Sequence, residues 1–152
     1  MELLNKSLIK MHTNFQTQEE VFEGIASLAV EQGLATDKKT VVAGLANREK
    51  ESTTGFFDGF AIPHTKSSAI QKAGIVIMVN ESGVEWNSMD GQPAKFFISL
   101  LIPENEAGTT HLTLLAAVSR MLVHEDIRAK LLTLDDEEKI YEEIKRFLSE
   151  NM

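Results

Sequence analysis

The strongly apolar stretch from Phe96 to Ile102, broken only by Ser99, sets the tightest limit on how this chain can fold. It falls far short of the roughly 20 residues a membrane helix needs. Asp90-Gly91, a turn signal, separates it from Val84-Glu85-Trp86, so it reads as a strand. Gly74 to Val79 is a second β-rich apolar run, and Leu8 to Met11 is a shorter candidate first strand.

Helical signals surround these runs. Thr17 with Glu20 fits a capping box, Val21, Phe22, Ile25, Leu28 and Ala29 follow at helical spacing, and Gly33 suits the C-terminal cap. Asp37 opens a second helix with Val41, Val42 and Leu45 on its apolar side, ending near Asn47 or Arg48. From Thr109, the residues Leu112, Leu115, Ala116, Ser119, Leu122 and Val123 share one helical face. A short helix around Ile127 and Leu131 follows, then a last one from Asp135, with Glu138 completing a box, through Ile140, Ile144, Phe147 and Leu148. Helices before, between and after strands predict an α/β fold with a central sheet covered by helices.

The chain has 152 residues, with no repeat or linker-like stretch, and reads as one domain over 1–152. It has no cysteine, which excludes disulfides, thiolate metal sites and a cysteine nucleophile. Its first residues lack the pattern of a signal peptide, and a cytoplasmic protein is expected. A net charge of −8 disfavours nucleic acid and anionic lipid as partners and leaves room for a basic protein, although solubility alone also explains it.

Between the second helix and the strands, residues 51–64 (ESTTGFFDGFAIPH) change character, with glycines, a proline and hydroxyl residues that predict tight loops and short strands. Of the four histidines, His12 and His124 read as ordinary surface or helix-end residues. His64 directly follows Ala61-Ile62-Pro63, where proline stiffens the backbone and aims the ring at a definite point. Ser52-Thr53-Thr54-Gly55 offers hydroxyls and amides for an anion, but it is not a Walker A loop. With Thr109 or Thr110 as N-cap, His111 falls in a first helical turn, where a negative group is favoured. Arg48, just past its helix, supplies a permanent positive charge. The histidine spacings fit no usual metal motif, and the G-x-S-x-G elbow of serine hydrolases is missing. The residues by themselves describe a histidine site built for an anion.

Arg48-Glu49, Ser52-Thr53-Thr54-Gly55 and Gly59-Phe60-Ala61-Ile62-Pro63-His64 together resemble the signature of the fructose/mannitol-type enzyme IIA of the bacterial sugar phosphotransferase system. Trp86 to Pro93 (WNSMDGQP) and His111-Leu112 extend the resemblance over about Leu8 to Leu148. It implies a mixed sheet with helices on both faces. It also implies that phospho-HPr donates a phosphoryl group to His64, that Arg48 and His111 hold it, and that a IIB domain accepts it on a cysteine during sugar uptake through a IIC permease. No cofactor or metal is implied. Phe56-Phe57-Asp58 departs from the smaller residues of many relatives. Lacking cysteine and a membrane span, the chain is expected to be neither its own IIB of that type nor the permease, and to act by meeting other proteins. A regulatory phosphoprotein of the same fold is the alternative. Fructose, mannose, mannitol and related polyols all stay open.

Overall fold

The computed structural model describes residues 3–106 and 108–151. Its centre is an antiparallel pair, β4 (Gly74–Val84) and β5 (Ala94–Pro103). Their side chains alternate between two cores. Val76, Met78, Phe97 and Leu101 face one, while Ile75, Ile77, Phe96, Ile98, Leu100 and Ile102 face the other. A strand buried on both faces must be apolar almost throughout, which accounts for the run at Phe96 to Ile102.

β1 (Ile9–Thr13) lies parallel to β4 on one side of this pair. On the other side, β2 (Phe60–Ala61) and β3 (His64–Ser67) lie parallel to β5, one after the other along the same edge. The sheet is therefore mixed, in the order β1-β4-β5-β2. α1 (Gln18–Glu31) and α2 (Lys38–Glu51) cover the first face through Phe22, Ile25, Val41 and Leu45. α3 (Gly108–Val123), α4 (Glu125–Thr133) and α5 (Glu137–Asn151) cover the second through Leu114, Met121, Leu131, Ile140 and Ile144. The expected α/β architecture, with helices on both faces, is present.

Local signals act much as expected in α1. Thr17 Oγ1 accepts from Glu20 N at 3.1 Å, while the Glu20 carboxylate takes the amide of Gln16, one residue earlier than a standard box, at 2.7 Å. Gly33 has φ +81°, and Leu34 N donates to Ala29 O at 2.8 Å, closing a Schellman turn that needs a left-handed residue.

Four boundaries or faces differ from expectation. Leu8 ends a short 3₁₀ turn, so β1 begins at Ile9 and runs on to Thr13. α2 continues to Glu51, one turn beyond its expected end, because nothing in Arg48-Glu49-Lys50-Glu51 breaks a helix and extended Ser52 ends it instead. α5 is capped by Asp136, whose Oδ1 accepts from Lys139 N at 2.8 Å, rather than by Asp135; Glu138 instead pairs with Lys6 at 2.6 Å. In α3 the buried face is Leu114, Ala117, Val118, Met121 and Leu122, whereas Leu112, Ala116 and Val123 are exposed. α3 is apolar almost all round, so two stripes both satisfy the helical period, and the sheet selects the one that fits it.

Candidate functional site

His64 begins β3, the strand at the open edge of the sheet. Ile62 N donates to Thr54 O at 3.0 Å, and Leu100 N donates to Pro63 O at 3.1 Å, so the segment before the histidine is tied on both sides. His64 is only 5% exposed. Its Nδ1 lies 2.7 Å from the carbonyl oxygen of Ile62. A carbonyl only accepts, so Nδ1 carries the proton and the lone pair sits on Nε2. Arg48 Nε donates to that Nε2 at 3.2 Å, which agrees with the same tautomer.

Arg48 lies in the last turn of α2, a correction to its expected place just past the helix. The extra turn matters, because Arg48 Nη1 donates back to Ser52 O at 2.8 Å and the guanidinium is held at the helix end. Glu49 faces the other way. Its carboxylate accepts from Thr54 N at 2.6 Å and Thr54 Oγ1 at 2.7 Å.

The Thr53 and Thr54 hydroxyls and the Thr54 and Gly55 amides, which in sequence suggest an anion cradle, are already engaged within the protein. Thr54 Oγ1 also accepts from Trp86 Nε1 at 3.1 Å, Thr53 Oγ1 donates to Trp86 O at 3.0 Å, and Gly55 N is taken by Thr53 Oγ1 at 3.0 Å. These groups are spent on holding the loop against the segment at Trp86. A Cβ on Gly55 would come within 2.4 Å of Ser88 Oγ and 2.7 Å of its Cα, so only glycine fits there.

His111 lies in the first turn of α3, with its ring centroid 5.7 Å from that of His64. Thr109 and Thr110 already lie within the helix, so neither is its N-cap; the residue before Gly108 is outside the described residues. His111 Nδ1 is buried without a hydrogen-bond partner among the described residues. The three residues singled out by sequence, His64, Arg48 and His111, thus line one cavity of about 450 Å³, shared with Glu51 and Lys66. Sequence reading passed over the last two. Lys66 is two residues beyond His64 on the same strand, and Glu51 is one turn beyond Arg48, a relation visible only once α2 is known to continue.

Burial holds the His64 imidazole below its usual pKa, against the pull of the Ile62 carbonyl; Arg48 and then His111 lower it further, while Glu51 raises it. His111 is likewise lowered, first by burial, then by Lys66 and Arg48. The cavity thus favours a neutral His64 with an available nitrogen lone pair, beside two permanent cations.

His12 and His124 stand apart from this cavity. His12 is exposed, with φ +57° and its Nδ1 3.4 Å from Glu81, and His124 precedes α4 with its ring centroid 6.0 Å from that of Phe147. Asp58 of the Phe56-Phe57-Asp58 segment accepts from Arg128 Nε at 3.0 Å, away from the cavity lining. Among the described residues no three His, Cys, Asp or Glu side chains gather as a metal site, and no helix is long and apolar enough to cross a membrane.

The family described as phosphoenolpyruvate-dependent sugar phosphotransferase system, EIIA 2, matches residues 2–147. The fructose-specific EIIA component of Haloferax volcanii is 35% identical over 133 residues, covering 88% of this chain and 86% of that protein. Nitrogen regulatory protein IIA-Ntr of Neisseria meningitidis superposes with a TM-score of 0.86 at 25% identity, covering 93% of this chain and 96% of that one. The Escherichia coli complex of enzyme IIA for mannitol with phosphorylated enzyme IIB gives 0.70 at 19% identity, over 97% of both chains.

Proposed function

This chain belongs to the EIIA 2 family of the phosphoenolpyruvate-dependent sugar phosphotransferase system, and from that premise we propose that it carries its phosphoryl group on Nε2 of His64. The observation that supports this most is the hydrogen bond from Nδ1–H to the Ile62 carbonyl, which commits the proton to one ring nitrogen and the lone pair to the other. The donor in this reading is phospho-HPr, the acceptor is a IIB domain, and the transfer takes place in the cytoplasm during sugar uptake through a IIC permease. The solved complex of a protein of this fold with a phosphorylated IIB supports the acceptor.

The lone pair of Nε2 attacks the donor's phosphorus, and the Nε2–P bond forms as the donor's bond to phosphorus breaks and its atom keeps the electron pair. The proton stays on Nδ1, so the ring's positive charge sits against the phosphoryl oxygens. Once Nε2 is bonded to phosphorus, Arg48 Nε–H has lost its acceptor and turns to the new oxygens. His111, at the N-terminal end of α3, meets them from the other side. Phosphoryl transfer asks a protein mainly for positioning and charge stabilisation, and both are available here.

The test is incubation with phospho-HPr carrying labelled phosphorus, then with candidate IIB proteins. Acid-labile, base-stable label is expected on the wild type and absent from His64→Ala, whose fold is unchanged; label persisting on that variant refutes the assignment. A regulatory role is the second reading, favoured by the match to a nitrogen regulatory protein. Failure to pass label to any IIB, with normal loading of His64, would select it.

A further inference from the structure

The wall of the cavity contains a charge of the wrong sign for holding a phosphoryl group. Glu51 is the last residue of α2, is exposed, and lines the same space as His64, Arg48, Lys66 and His111. Although two cations share that wall, no ion pair between Glu51 and a described residue forms. Arg48 spends Nε on His64 and Nη1 on the Ser52 carbonyl. The C-terminal end of α2 adds its own partial negative charge at the same place.

We propose that Glu51 sets how readily the phosphoryl group leaves His64, acting as a built-in repulsive charge that keeps the loaded form reactive. A carrier has to accept a group and also give it up, and a wall made only of cations would favour the first step at the expense of the second. Arg48, Lys66 and His111 hold the oxygens. Glu51 opposes them. Before loading, the same carboxylate has the opposite effect, since it favours positive charge on the His64 ring and offsets part of what burial and Arg48 do. The sign of its influence therefore reverses when a group carrying up to about two negative charges arrives. The inference rests on His64 being the residue that carries the phosphoryl group, and it concerns how tightly that group is kept.

The experiment compares wild type, Glu51→Gln and Glu51→Lys as full chains. Four quantities are read: the equilibrium distribution of label against phospho-HPr, the KM for phospho-HPr, hydrolysis of the isolated phospho-form, and the titration of the free His64 ring by NMR. For Glu51→Gln, roughly two- to five-fold more phospho-form at equilibrium and similarly slower hydrolysis are expected, from one like-charge interaction at an exposed site. Glu51→Lys should go further in the same direction, and the free ring should titrate at lower pH in both. Identical distribution and hydrolysis in all three proteins would overturn the proposal. So would a change confined to the KM for the protein partner, which would make Glu51 a docking contact. If wild type takes no label on His64, the assignment of His64 itself fails and this proposal with it.

Discussion

Gly44 lies one turn before Arg48 on α2, and its missing side chain lets the helix lie close against β3. A Cβ built there would stand 2.4 Å from Thr65 Oγ1, with Thr65 Cβ at 3.3 Å and Cγ2 at 3.4 Å. Ordinary contact begins near 3.4 Å, so Gly44→Ala needs about 1 Å of relief. Thr65 is buried and β-branched, and its χ1 is stiff. The helix is therefore expected to move away from the strand. The hydrogen bond from Arg48 to His64 starts at 3.2 Å, and a comparable shift takes it past bonding range. A hydrogen bond to a charged group contributes about 1.5–3 kcal/mol, so phosphoryl transfer should slow by about ten- to a hundred-fold. Stability should change little, because removing glycine from a helix gains about 1 kcal/mol and offsets much of the clash. Rapid-quench transfer from phospho-HPr, with melting temperatures alongside, measures both effects. Gly44→Ala with Thr65→Ala should recover most of the rate. A single Gly44→Ala protein that transfers normally and melts higher would show that Thr65 simply turns aside and that the contact does not position Arg48.

The His111 ring near His64 predicts that His111→Ala is still labelled on His64 but transfers about ten- to over a hundred-fold more slowly, with His111→Gln recovering part of the loss; equal rates and equal hydrolysis in the three proteins would place His111 outside the reaction. Acid should destabilise the fold through His64, whose pKa is depressed when folded, mainly by burial. The unfolded chain then takes the proton first, so the stabilisation is complete above about pH 6.5 and is lost as pH falls through that value towards the folded pKa. The gap in melting temperature between wild type and His64→Gln should shrink from about pH 7.5 to 5.5, and a constant gap would show that the ring is solvated.

The parts of the fold legible in sequence are those where one local signal has one solution. Thr17, Gly33 and Asp90-Gly91 each answer a backbone requirement within a few residues: Thr17 caps α1, Gly33 takes the left-handed turn after it, and Gly91, at φ +76°, closes a turn by donating to Ser88 O at 3.0 Å. His64 was legible for the same reason, because Ile62-Pro63 constrains the chain on which the ring is mounted. The meeting of Arg48 and His111 over His64 followed from family resemblance, since no local rule joins residues so far apart. What could not be read were choices made between elements. α3 offered two apolar stripes, and only the sheet decides between them. The hydroxyls of Thr53 and Thr54 looked available because Trp86, which claims them, is 32 residues from Thr54 along the chain. Glu51 escaped notice because no stop signal marks where α2 ends.

The two cores on either side of the sheet have no residue in common. Arg48 is mounted over the first and His111 over the second, and they converge on one ring at the edge where the layers meet. Each jaw of the site is thus anchored in its own foundation. Substitutions behind α2 can retune the arginine side while the packing under α3 stays as it is, and the reverse is equally open. Lineages diverging from such a chain have two independent adjustments for the surroundings of a single imidazole.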